Sequence, residues 1–130
     1  MPIFESTEKM YDVLGSLFRF LMEHPEVGPK YVESGITIKF DIFDPDGYIW
    51  LTPDGVVLGA SDMKPTIEMK LSGDTCHDFW LKNVSMPVAL AKGLIKAKGP
   101  MPKVLKLLPL LKPAYENYPR IAKEKGLSTD

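Results

Sequence analysis

Ile36-Thr37-Ile38-Lys39-Phe40-Asp41-Ile42 alternates apolar and polar residues without a break. Successive side chains of a strand point to opposite faces, so this stretch reads as a strand with one buried and one wet face. Asp44-Pro45-Asp46-Gly47 follows with strong turn chemistry. Tyr48 to Thr52, rich in aromatic and β-branched residues, reads as a second strand. Pro53-Asp54-Gly55 is a second turn, leading to a third strand over Val56 to Ala60. Turns this short can join only antiparallel neighbours, so the three strands form a meander.

Downstream, Ser61 to Pro65 is a loop. Thr66 to Leu71 alternates again, with Ile67, Met69 and Leu71 inward. After Gly73, Asp74 or Thr75 caps a helix running to about Asn83. Helical turns over Met86 to Lys92 close at Gly93, and Leu94 to Lys98 is a last strand with Ile95 and Ala97 on one face. Upstream, Ser6 or Thr7 caps an opening helix whose apolar face is Met10, Leu14, Leu17, Phe18 and Leu21. His24-Pro25 ends it, because the residue before proline is driven out of the α region. Pro25 to Ser34 forms a turn or short helix stopped by Gly35. Beyond Gly99, prolines at 100, 102, 109, 113 and 119 interrupt the leucines, which predicts short helices broken at Pro109 and Pro113 and a final helix through Tyr115, Tyr118 and Ile121.

The 130 residues, 45% hydrophobic and 25% charged, suit one globular domain over 1–130, with 126–130 as a frayed tail. Sixteen basic and seventeen acidic side chains leave a formal charge of −1, which argues against a nucleic-acid partner. Cys76 is the sole cysteine, so no internal disulfide can form. No apolar stretch nears the ~20 residues of a membrane span, and residues 1–9 lack the pattern of a secretory leader. The expected location is cytoplasmic.

Catalytic chemistry is sparse. Cys76 and His77 are adjacent, and neighbours on a helix point in different directions, which leaves an idle buried cysteine as the better reading of Cys76. His24 is expected at the surface. Two histidines and one cysteine give no metal spacing, and Asp44-Pro45-Asp46-Gly47 lacks the other ligands of a calcium loop. Neither a phosphate-binding glycine loop nor a nucleophile elbow is present. No enzyme, cofactor or metal is expected. Lys96, Lys98, Lys103, Lys106 and Lys112 form a solvated face that can also meet an anionic membrane surface transiently or an acidic head group.

Val104, Leu107, Leu108 and Leu111 share one helical face, while Leu105 and Leu110 lie off it. A segment apolar nearly all round needs apolar partners on several sides. Composition leaves three solutions open: plain core, the wall of a ligand cavity, or a homodimer interface.

The run Gly73-Asp74…Phe79-Trp80…Ala89-Leu90-Ala91-Lys92-Gly93-Leu94-Ile95-Lys96-Ala97-Lys98-Gly99-Pro100-Met101 resembles the sterol carrier protein type-2 family. There a helical pair leads through a glycine to a lysine-bearing strand, a second glycine and a leucine-rich helix; Gly93, Lys96, Lys98, Gly99 and Leu105 to Leu111 occupy those places. The order of elements in the first half agrees as well. The resemblance implies an α+β fold: a single-layer, five-stranded, mostly antiparallel sheet covered by helices, in the order α-β-β-β-(crossover)-β-α-β-α. It also implies binding and carriage of a fatty acid, fatty acyl-CoA or sterol- or isoprenoid-like lipid between sheet and helices. The cavity wall would then comprise Ile38, Phe40, Trp50 and Met69 from the sheet and Phe79, Trp80, Met86, Leu90, Met101, Val104, Leu107, Leu108 and Leu111 from the helices. The alternative is a filled core in an interaction or accessory domain that dimerises or presents substrate to a separate enzyme. Three features depart from the family: the inserted-looking Pro25 to Ser34, the added C-terminal prolines, and an ending, Leu127-Ser128-Thr129-Asp130, unlike a peroxisomal address.

Overall fold

A computed structural model describes residues 3–129. Helix α1 (Thr7–Glu23) starts where Ser6 Oγ accepts the Lys9 amide at 3.1 Å, and it stops before His24-Pro25. The His24 ring then has a use of its own. Its Nδ1 accepts the amides of Glu26 (3.1 Å) and Val27 (3.3 Å), supplying the cap that α2 (Val27–Ser34) otherwise lacks. Gly28 lets α2 turn tightly back on α1: a Cβ there would lie 2.2 Å from the Met22 carbonyl oxygen.

Strands β1 (Ile38–Phe43), β2 (Gly47–Thr52), β3 (Gly55–Leu58), β4 (Ile67–Ser72) and β5 (Ile95–Lys98) form one sheet in the order β3-β2-β1-β4-β5. The β1–β2, β2–β3 and β4–β5 pairs are antiparallel, and β1–β4 is parallel. The fold is therefore α+β with a mixed sheet. After β3 the chain crosses to the far side of β1, and the Thr66 and Ile67 amides lock onto the Thr37 carbonyl at 2.8 and 3.2 Å.

Ile38, Phe40 and Ile42 pair with Leu51, Ile49 and Gly47 across β2, and with Ile67, Met69 and Leu71 across β4. These residues make the covered face of the sheet. Lys39, Asp41, Tyr48, Glu68, Lys70, Lys96 and Lys98 make the open one, none of them fully buried. On the covered side α1 lies against β2 and β3 and packs along α6 (Lys112–Glu124).

Helix α3 (Gly73–Trp80) is capped by Ser72, whose Oγ accepts the Thr75 amide at 3.0 Å, and not by Asp74 or Thr75. The Asp74 carboxylate is engaged by the Ile3 amide at 2.8 Å. The crowded first position of α3 takes glycine, since a Cβ there would sit 2.9 Å from the Asp44 carbonyl oxygen. Helix α3 also ends short of Asn83. Helix α4 is Met86–Ala91, and Leu94 lies outside β5, exposed.

Helix α5 (Met101–Leu107) gives way to a 3-10 turn, Leu108–Leu111, at Pro109, the expected break. Pro113 behaves otherwise. It sits in the first turn of α6, where a missing N–H costs nothing, so it starts a helix where a break was expected. The end of the chain, expected to fray from 126, is tied down as far as Ser128: the Leu127 amide donates to the Ala122 carbonyl (2.9 Å), and the Ser128 carbonyl meets His77 Nε2 (2.8 Å). Asp130 lies outside the described residues.

Candidate functional site

The covered face of the sheet does not close completely against its helices. A cavity of about 40 Å³ remains, lined by Ile38, Phe40, Leu51 and Met69 from the sheet, Phe18, Leu21 and Met22 from α1, and Val27 and Tyr31 from α2. Phe79 and Trp80 of α3, Met86 of α4, Val104 and Leu107 of α5, and Leu108, Leu110 and Leu111 of the 3-10 turn complete the wall. No charged side chain lines it. Of its two polar side-chain groups, one is bonded away and the other is the Trp80 indole N–H. The Tyr31 hydroxyl donates to the Leu51 carbonyl at 2.5 Å, which leaves the ring as an apolar wall, and burial holds that hydroxyl well above the usual tyrosine range.

The Trp80 indole N–H is buried without a hydrogen-bond partner of good geometry. Its polar neighbour is the Cys76 thiol, a weak acceptor, whose thiolate it would favour. Burial outweighs that effect and pushes Cys76 up to about 12 from 9.0, so the thiol stays protonated at neutral pH. A nucleophilic cysteine needs the opposite shift.

Ten of the expected wall residues meet around this cavity: Ile38, Phe40, Met69, Phe79, Trp80, Met86, Val104, Leu107, Leu108 and Leu111. Trp50, Leu90 and Met101 do not line it. Trp50 is the clearest correction. It pairs with Lys39 across the β1–β2 register and so points to the other face of the sheet. There its Nε1 donates to the Gly59 carbonyl at 3.0 Å, and the Lys39 ammonium lies 5.4 Å from its ring centre and 4.8 Å from that of Tyr48. Leu51 holds the place assigned to Trp50, since Tyr48-Ile49-Trp50-Leu51 is apolar at every position and gives no alternation to choose a face. Leu90 packs against the core margin and Met101 sits half-buried at the start of α5, because α4 and α5 each turn one side away from the cavity.

Sequence reasoning missed the wall supplied by α1 and α2. Phe18 and Leu21 were legible as the apolar face of α1, but Val27 and Tyr31 fall in a stretch whose periodicity is too short to assign.

Adjacent to the cavity lies an open groove of about 270 Å³ lined by Phe79, Lys82, Val84, Ser85, Met86, Pro87, Leu108 and Tyr115. Phe79, Met86 and Leu108 are shared walls of groove and cavity. On the other side of α3, His77 is buried, its Nδ1 2.6 Å from the Tyr118 hydroxyl and its Nε2 held by the tail. Both ring nitrogens are thus committed to hydrogen bonds within the fold, to α6 and the tail, whereas the thiol of Cys76 meets Trp80. Among the described residues, no group of three or more His, Cys, Asp or Glu is placed to hold a metal ion, and no helix is long and apolar enough to cross a membrane.

The same architecture occurs in known structures. The sterol carrier protein domain 2 of Helicoverpa armigera superposes with a TM-score of 0.67 at 18% identity, over 82% of this chain and 89% of that one. Sterol Carrier Protein-2 of Aedes aegypti, solved in complex with the C16 fatty acid palmitate, gives 0.56 at 12% identity over 82% and 94%. The inverting sec-alkylsulfatase Pisa1 of a Pseudomonas species gives 0.52 at 20% identity over 63% of this chain, and the match spans 14% of that enzyme's length. At these identities the shared property is the fold, which is that of the sterol carrier protein 2 domains. No protein-family model and no curated protein sequence matches the chain.

Proposed function

We propose that the chain binds and carries an apolar ligand of the fatty-acid, fatty-acyl-CoA or sterol- and isoprenoid-like kind, without transforming it. The observation that carries this reading is the uncharged cavity between the sheet and the α5–3-10 segment. Each methylene buried there would contribute about 0.8 kcal/mol. The flexible thioethers of Met22, Met69 and Met86 suit a wall that must accept more than one shape. The palmitate complex of the Aedes protein supports an acyl chain as one such ligand.

The volume sets a condition. Ligand cavities usually measure about 300–1,000 Å³, so a space of about 40 Å³ must widen before an acyl chain fits. The segment built to move is 101–111. Neither α5 nor the 3-10 turn has a side-chain cap, and among the described residues no side-chain hydrogen bond or ion pair involves residues 101–111. Apolar contact holds its side chains against the sheet and the other helices, and an apolar ligand can substitute for that contact.

The same small volume favours a second reading, a filled core in a domain that dimerises or presents substrate to a separate enzyme. Native mass spectrometry of the purified protein, followed by organic extraction, separates the two. The carrier reading expects a lipid-sized mass increment that extraction removes. A bare mass, together with failure to bind any fluorescent fatty acid, selects the filled core. A cytoplasmic setting belongs to the proposal and is supported by the unpaired, buried Cys76. Transient contact with an anionic membrane, to load or deliver the ligand, would use Lys103 and Lys106 beside Leu105, which is 53% exposed.

A further inference from the structure

The helices of this chain end in a recurring way, and one ending breaks its own rule. Helix α4 closes with Gly93 in the left-handed region (φ 73°), the Gly93 amide bonding the Leu90 carbonyl and the Leu94 amide the Ala89 carbonyl. Helix α6 closes identically around Gly126 (φ 82°), through Gly126 to Lys123 and Leu127 to Ala122. This double-bonded terminus strongly favours glycine, which alone enters the left-handed region without steric cost. Helix α3 makes the same two bonds, from the Lys82 amide to Phe79 (3.1 Å) and from the Asn83 amide to Asp78 (2.8 Å), yet the left-handed residue is Lys82, at φ 66°. A strained residue kept where glycine would be easier calls for a reason in its side chain.

That side chain stands at the groove. Lys82 lines it together with Ser85, and its ammonium lies 5.7 Å from the Tyr115 ring centre, an aromatic face that holds the cation over the opening. Lys82 has no carboxylate partner among the described ion pairs. Below it, Phe79, Met86 and Leu108 form the wall common to the groove and the apolar cavity. A cation and a hydroxyl therefore border one end of an apolar path, as an amphipath requires.

We propose that Lys82, with the Ser85 hydroxyl, is a head-group site that selects a single-chain ligand ending in a carboxylate, the acyl chain passing between Phe79, Met86 and Leu108 into the cavity. One ammonium and one hydroxyl match one negative charge; a phosphate head would call for more cations. The site rests on the carrier reading and adds to it a polarity for the ligand and a preference for acid over neutral lipid.

The test compares a sixteen-carbon fatty acid with the alcohol of equal length, on wild type, Lys82→Gly and Lys82→Arg. The wild type should bind the acid more tightly. Lys82→Gly should raise the unfolding midpoint by a few degrees, since glycine relieves the left-handed backbone, and should weaken the acid about threefold to fivefold, the size expected of an exposed charge pair. Its affinity for the alcohol should stay unchanged, and Lys82→Arg should retain the preference for acid. Equal binding of acid and alcohol by the wild type overturns the head-group site and leaves the carrier reading standing, as does an equal loss of both ligands in Lys82→Gly. Failure of the wild type to bind either ligand overturns both.

Discussion

Cys76 lies against Trp80, a wall residue of the cavity, and its environment determines its chemistry. With its thiol pushed up to about 12, the group remains protonated across the physiological range. Thiol reagents should therefore label the folded protein only as fast as it unfolds, and labelling within seconds under native conditions would contradict this burial. The pH dependence follows from the same shift. The folded value lies above the ordinary 9.0, so the stabilisation is complete below pH 9 and declines as pH rises from 9 towards 12. Each such group loses up to about 1.4 kcal/mol per pH unit in that window. Tyr31 and Tyr118, both raised by burial from 10.0, add to the loss above pH 10. Urea midpoints measured from pH 7 to 10.5 should fall on the alkaline side, and Cys76→Ala should remove the part that begins near pH 9. The same substitution should leave ligand affinity near wild type. At this scale the sequence was legible wherever alternation or a turn fixed a side chain's direction. Ile38, Phe40 and Met69 are examples. It failed at Trp50, where an unbroken apolar run conceals which face the register selects.

The elements divide in the same way. The opening helix, β1 and β4 could be read from the sequence because each carries a clear period and stops at proline, glycine or aspartate, and β2 and β3 because short turns bound them. The parallel union of β1 with β4 could not, since it depends on where the loop after β3 crosses the sheet. The proline-rich C-terminus was legible as broken helix. Pro109 and Pro113 each fall in the first turn of a new helical segment, and Pro119 lies within α6, so the prolines alone did not show where a helix would end or resume. For residues 101–111 the lack of side-chain hydrogen bonds and ion pairs to the rest of the molecule predicts local opening below the global unfolding energy. Hydrogen exchange should show these amides less protected than those of β1 and β4 without ligand, and more protected with a fatty acid bound. Leu108→Trp, in the wall of both cavity and groove, should occupy the opening and weaken a fluorescent fatty acid while the fold persists. Lys64→Ala, in the exposed loop before β4 and outside the lining, should change neither.

Across the whole molecule, the proposed carrier function would make ligand binding and stability two readings of one equilibrium. A wall whose side chains are held by apolar contact leaves a small void, about 40 Å³, whose lining lacks contacts on one side. A ligand that enters restores those contacts, and only the folded chain can offer them. The stabilisation is then about 2.7 kcal/mol at a free ligand concentration one hundred times Kd. For a chain of 130 residues, at about 2.1 cal/mol/K per residue of unfolding entropy, that energy raises the unfolding midpoint by about 10 °C. Thermal scans with increasing fatty acid should show this rise continuing logarithmically past saturation, because mass action has no plateau. Leu108→Trp tests the same equilibrium from the other side. If the wall yields to a ligand it also yields to an indole, so the variant should melt close to the wild type without ligand and shift much less with it. In a rigidly filled core the same indole overpacks, at a cost of about 1–3 kcal/mol. The variant would then melt several degrees lower, and neither protein would respond to fatty acid, which would decide against the carrier.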